Sequence, residues 1–128
     1  MEDTISFVDN PAVKACPDRY VTVTVDISSV LKSWRESLFA FEWMLPDGRL
    51  KSTNELPAAE QPKRAAVEAK LKSGMPLEKP VLGIGLMDNI EIGAGRATFL
   101  TLAAQGVKKL PVHIPKSNRD EFSGFMTV

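Results

Sequence analysis

Lys79-Pro80-Val81-Leu82-Gly83-Ile84-Gly85-Leu86 opens the stretch on which the fold of this chain turns. Asp88-Asn89-Ile90-Glu91-Ile92-Gly93-Ala94-Gly95-Arg96 continues it, and Leu102-Ala103-Ala104-Gln105-Gly106-Val107-Lys108-Lys109-Leu110-Pro111-Val112 closes it. Pro80 to Met87 alternates and predicts a strand with Leu82, Ile84 and Leu86 on one face. Gly83 and Gly85 fall on the other face, where two missing side chains leave room for another backbone, a large side chain or a ligand. Asp88-Asn89 predicts a turn, and Ile90 to Ile92 a short extended segment. Gly93-Ala94-Gly95 then leads into a helix from Arg96 to Gln105, which Gly106 ends. Ala97, Phe99, Leu100, Leu102, Ala103 and Ala104 make that helix apolar nearly all round, so it is expected in the core. Leu110 to Ile114 predicts the last strand.

The residues on either side extend this pattern. Lys63 to Lys72 holds only helix-compatible residues, Pro62 suits the first turn, Gly74 the position after the last turn, and Pro76 the stop. Glu60 with Arg64 and Glu68 with Lys72 have favourable spacing for ion pairs. Further back, Tyr20 to Ile27 alternates strictly, with Val21, Val23, Val25 and Ile27 on one face, which predicts a half-buried strand. Ser28 or Ser29 can cap a short helix through Trp34. Leu38 to Leu45 also alternates and places Phe39, Phe41 and Trp43 together. With Pro46-Asp47-Gly48 as the turn and Arg49 to Ser52 as the return strand, it predicts a hairpin. Residues 1–19 read as an irregular arm with one short strand near Ile5 to Val8. Residues 116–128 read as a tail ordered in part through Phe122 and Phe125.

A chain of 128 residues is one domain by the length prior, and it can bury enough surface to need neither metal nor disulfide. Sixteen Lys and Arg balance sixteen Asp and Glu, so the formal net charge is zero. That excludes a strongly basic, sequence-blind nucleic-acid binder. Cys16 is the only cysteine, which forbids an internal disulfide and fits a reducing cytoplasm. Glu2, Asp3 and Asp9 stand where a secretory leader would carry Lys or Arg, and no apolar run approaches the ~20 residues that span a bilayer. The expected location is therefore cytoplasmic, with no membrane partner.

The Gly-rich turn is the one place with recognisable chemistry. Unsatisfied N–H groups at a helix N-terminus lie at the positive end of the helix dipole, glycines let an anion come close, and a neighbouring cation completes a phosphate site. Gly93, Gly95, Arg96 and Thr98 supply those parts. A tight turn that needs glycine for its dihedral angles, with Arg96 merely solvated, is the simpler account of the same residues.

Taken together, residues 62–115 resemble the ParB/sulfiredoxin-like superfamily. Its layout is a helix ending in glycine, an "xPV" strand start, an "xDGxIxxG" turn, a Gly-x-(His/Arg)-Arg motif at a helix start, and a final "G" five residues before "PV". The resemblance implies an α+β fold, a small mixed β-sheet with two to three helices, and a turn that binds nucleotide phosphate. Counting back from Gly106 and Pro111 puts Ala97 and Thr98 at the His/Arg pair, so that the phosphate-handling residues are lost. Matching Gly93-x-x-Arg96 instead keeps an arginine but lengthens the helix by about two residues. Helix length between packed strands is hard to change, which favours the first register. Sulfiredoxin chemistry needs a cysteine within the motif, and Ala94 or Ala97 stands there. Partition proteins carry a helix-turn-helix module after this domain, and only about a dozen residues follow Pro115.

The resemblance thus implies a minimal single-domain member, plasmid- or phage-borne. The expected function is a non-catalytic regulatory or interference protein acting through a protein or DNA partner, with a degenerate phosphate turn. The alternative is an enzyme, a nucleotide-binding phosphohydrolase or nuclease using the turn, with ATP or CTP and magnesium as cofactors. A third possibility is a generic domain that binds a partner through the Phe39, Phe41 and Trp43 hairpin. Lys108, Lys109, Lys116 and Arg119 form a basic run that could touch DNA, although lysines defending a strand edge explain it as well. His113 alternates with Val112 and Ile114 and is expected to point away from the core. One histidine and no carboxylates at ligand spacing leave no metal site. Asp26, Glu42, Asp47 and Glu91 do not assemble into a catalytic acid/base pair, so no catalytic residue is assigned.

Overall fold

In the computed structural model, which describes residues 5–127, strand β2 (Tyr20–Asp26) and strand β6 (Lys109–Pro115) form the longest ladder. They pair antiparallel over seven residues, from Tyr20 opposite Pro115 to Asp26 opposite Lys109. The period-two pattern of β2 accounts for this: Val21, Val23 and Val25 meet Ile114, Val112 and Leu110. Strands β4 (Leu82–Ile84) and β5 (Ile90–Ile92) form an antiparallel hairpin. Val81, just before β4, bridges in parallel to His113, whose N–H donates to the Pro80 carbonyl at 2.9 Å, so the hairpin continues the sheet beyond β6. On the far edge, Met126 bridges to Val25. A separate parallel pair joins β1 (Phe7–Val8) to β3 (Leu77–Glu78).

Four helices accompany these strands: α1 (Ile27–Trp34), α2 (Gln61–Ser73), α3 (Arg96–Ala104) and the single turn α4 (Arg119–Phe122). The molecule is a small mixed α+β structure with short sheets, one helix beyond the two to three expected. Asp26, rather than either serine, caps α1, its carboxylate accepting from the Ser29 N–H at 2.9 Å and hydroxyl at 2.7 Å. Helix α2 stops at Gly74, whose φ of +73° is left-handed. Its ion pairs are Lys63 with Glu60 and Arg64 with Glu68, not the two pairs read from spacing. Helix α3 is buried from Thr98 to Leu102, as its all-round apolar character requires.

Buried side chains join in one cluster that includes Trp34, Trp43, Phe99, Leu100, Leu102, Leu110, Ile114 and Phe122. Phe122 fixes the tail to this core, and its ring meets that of Phe125 edge-on at 6.3 Å.

Three further expectations change. The Leu38–Ser52 hairpin is absent as a pair of strands: Met44 opposite Leu50 is the only bridge, around a turn where Gly48 has φ +92°. Residues Ala40–Glu42 are a 3₁₀ turn. The Ala40 carbonyl accepts from both Trp43 and Met44, which turns Ala40, Trp43 and Met44 inward and Phe39 and Phe41 outward. A period near three has replaced the apparent period of two.

Strand β4 ends at Ile84, so Leu86 is not on its buried face. The Gly85 N–H donates to the Asn89 carbonyl and the Asp88 N–H to the Gly85 carbonyl. These bonds place Leu86 and Met87 at an exposed hairpin tip, with Asp88 in the left-handed region at φ +61°. A side chain at Gly83 would meet nothing, whereas the space at Gly85 is taken by the Glu91 side chain.

His113 is buried, not outward. Its Nε2 accepts from the Asn10 N–H at 3.1 Å, Nδ1 lies 3.4 Å from the Thr22 hydroxyl, and the Asp9 carboxylate is 3.8 Å from Nε2. The arm that the sequence left irregular covers this face of the sheet. Asn10 is its fastener: Oδ1 accepts from the Ala12 N–H, and Nδ2 donates to the Lys79 carbonyl.

Candidate functional site

The four turn residues chosen from sequence come together. Gly93, Gly95, Arg96 and Thr98 line one open cavity of about 540 Å³ at the start of α3, with Ala97, Phe39, Glu42, Glu60 and Lys63. The last four come from the segment between α1 and α2 and from α2 itself. No motif marked them, because they reach the turn only through tertiary packing.

Of the two glycines, Gly95 is the one that packing demands. Gly95 caps α3 at φ +82°, and a Cβ there would stand 2.9 Å from the Pro80 Cα. Gly93 donates its N–H to the Val81 carbonyl at 2.9 Å, and the Ala94 carbonyl accepts from the Val81 N–H at 2.9 Å. The turn is thus laced to Val81, just before β4, and Gly95 is explained without a ligand.

Arg96 is occupied by its own chain. Nε donates to the Ile92 carbonyl at 3.1 Å, Nη1 stands 3.6 Å from a Glu42 carboxylate oxygen, and the guanidinium lies 5.0 Å from the centre of the Phe39 ring. The Arg96 and Glu42 side chains are 26% and 30% exposed, so the pair is only partly screened by water. Glu60 is buried deeper. One of its oxygens accepts from the Trp43 indole N–H at 3.1 Å and the other pairs with Lys63 Nζ at 2.9 Å. Burial pushes its carboxyl up, but the bonds from Lys63 and Trp43 outweigh that and hold it below the usual glutamate range. Two carboxylates therefore face two cations in the cleft, and the local charge balances.

Thr98 is only 9% exposed and lines the same cleft.

The basic run does not form one patch. Lys108 and Lys109 stand at the start of β6, and Lys116 and Arg119 beyond its end. The seven-residue strand β6 separates the two groups by about 23 Å. Cys16 is exposed, and the ring nitrogens of His113 are engaged with Asn10 and Thr22. Among the described residues, no group of three or more His, Cys, Asp or Glu could hold a metal, and no helix is long and apolar enough to cross a membrane.

The aromatic surface read from sequence on Phe39, Phe41 and Trp43 is changed, because Trp43 is buried in the core. Leu38, Phe39 and Phe41 after α1, and Leu86 and Met87 at the hairpin tip, are all exposed, and sequence reading did not add Leu38, Leu86 or Met87 to such a surface. Phe39 links this surface to the Arg96 cleft.

Comparison with protein-family models, curated proteins and solved structures finds no match to this chain.

Proposed function

We propose that this chain is a non-catalytic regulatory or interference protein acting through a protein partner, on a ParB/sulfiredoxin-like fold whose Gly-rich turn no longer takes phosphate. The observation that carries the reading is the engagement of Arg96. An incoming phosphate would have to displace Glu42 from Arg96 and then tolerate the Glu60 carboxylate in the same cleft. The order α2, β4, β5, glycine turn, α3, β6 is the order the resemblance implies. Gly95 at the cap of α3 supports the register in which Ala97 and Thr98 replace the His/Arg pair. A protein is favoured over DNA because the apolar surface of Leu38, Phe39, Phe41, Leu86 and Met87 is exposed while the basic residues are divided.

A thermal-shift titration with ATP, CTP and a short DNA duplex, each with and without magnesium, tests the first half. No shift is expected, although a ligand at 100 times its Kd would add about 2.7 kcal/mol of apparent stability. A shift that Arg96→Ala abolishes would overturn the reading in favour of the phosphohydrolase or nuclease. The hydroxyl residue Thr98, lining the cleft beside Arg96, is the observation on which that second reading stands. Cross-linking in cells tests the second half: a defined cross-linked species is expected with the wild type and not with Phe41→Asp at equal abundance. Equal cross-linking by both would remove the apolar surface from the account.

A further inference from the structure

We propose that the occupant of the apolar face is a second copy of this chain, forming a two-fold symmetric dimer. The inference rests on reading that face as protein-binding and names what binds there.

The two halves of the face share one base. The Ser37 hydroxyl donates to Glu91 Oε1 at 2.6 Å, and Asn89 Nδ2 donates to Glu91 Oε2 at 3.0 Å. The Glu91 side chain also fills the space over Gly85, where a Cβ would meet its Cγ at 2.8 Å. Leu38 follows Ser37 and Leu86 follows Gly85, so each exposed segment begins next to a residue in contact with the Glu91 side chain. Leu38 is 80% exposed, Phe39 50%, Phe41 68%, Leu86 106% and Met87 69%.

Area argues for a protein of matching shape. At those exposures the five side chains offer on the order of 500 Å² of apolar surface. A stable interface takes about 800 Å² from each partner, roughly 60% of it apolar, so the face supplies what one side of a dimer needs.

Shape and charge argue for a second copy. The exposed segment after α1 carries two aromatic side chains, Phe39 and Phe41, and the hairpin tip an aliphatic and a thioether one, Leu86 and Met87. A two-fold axis sets the tip of each copy on the aromatic pair of the other, so the contact is made twice. Thioether sulfur on an aromatic ring is a favourable contact. The net charge of zero leaves no long-range repulsion between copies. Any other protein that uses this face then competes with the dimer, and the free fraction depends on the concentration of the chain.

Sedimentation velocity from about 0.1 to about 100 µM, the range in which an interface of this size associates, tests the proposal. The mass is expected to rise from that of the 14.0 kDa chain to twice that value. Leu86→Asp and Phe41→Asp are each expected to raise the dimer Kd at least tenfold, with the thermal midpoint of the dilute monomer unchanged within a few degrees. A monomer at every concentration overturns the dimer, as does a dimer indifferent to both substitutions. A monomeric wild type that still yields a cellular cross-link lost in Phe41→Asp sinks the dimer alone and leaves the protein-partner reading standing. A monomer without such a cross-link sinks both.

Discussion

Gly95→Ala separates the two reasons a glycine can stand at the start of α3. At φ +82° an alanine pays the left-handed penalty of about 1–2 kcal/mol, partly offset by about 0.4–1 kcal/mol from the stiffer unfolded chain. Its methyl would also stand 2.9 Å from the Pro80 Cα, a backbone atom held by the bonds between Val81 and the turn. Overpacking of that kind costs about 1–3 kcal/mol more. The expected loss is therefore about 2–4 kcal/mol. Gly74 and Gly106 are internal controls, because their φ values of +73° and +85° carry the same penalty but a Cβ at either meets nothing within 4 Å. Alanine at each control should cost about 0.5–1 kcal/mol. At this chain length 1 kcal/mol moves Tm by roughly 3–5 °C, so the three variants are resolvable. Guanidinium unfolding followed by the fluorescence of the buried Trp34 and Trp43 gives the free energies. A Gly95→Ala loss no larger than that of the controls would refute the packing argument. The glycine would then be free to serve a ligand, and the degenerate-turn reading would lose a support.

Trp43→Phe removes the donor to a buried Glu60 oxygen and should cost about 1–3 kcal/mol near neutral pH. Because Glu60 is held below its ordinary range, its contribution is present above the unfolded pKa near 4.3 and is lost as pH falls through the lower folded value. The gap between wild type and Trp43→Phe should therefore narrow in acid, and a gap constant with pH would exclude Glu60 as its cause. His113 titrates below its usual value chiefly because it is buried, with Asp9 opposing and Lys79 assisting. The folded state then binds fewer protons than the unfolded, so stability should fall as pH drops through about 6.5. His113→Gln should flatten that slope in denaturant titrations at several pH values, and an unaltered slope would place its origin elsewhere. Thr101 is wholly buried with an unpartnered hydroxyl, so Thr101→Val should leave Tm unchanged or raise it. A drop of more than a few degrees would mean that the hydroxyl has a partner.

Much of the candidate site was readable because it is local. A left-handed glycine, a helix start and a cation within four residues are set by near-neighbour sterics, and Gly93, Gly95, Arg96 and Thr98 do share one cavity. Glu42, Glu60 and Lys63 were not readable as its other wall, since nothing in their spacing says which turn they will face. The alternation from Leu38 to Leu45 misled for a related reason. A run of eight residues fits both a strand and a 3₁₀ turn, and the Ser37 and Ala40 carbonyl bonds chose the turn. Leu86 misled because Gly85 and Asn89 close the hairpin one residue before its side chain could enter the core.

The sequence by itself determined the elements whose patterns are long or terminated by special residues. These are the alternating strand β2, the helix α2 ending at Gly74, the all-round apolar helix α3 and the glycine turn before it. The tertiary structure decided which side chains neutralise Arg96, that His113 lies under Asn10, and that Leu38, Phe41, Leu86 and Met87 are left in water. The division follows from range. Backbone dihedrals and side-chain periodicity act within a few residues, whereas charge balance and burial depend on segments tens of residues apart that meet only when the core closes.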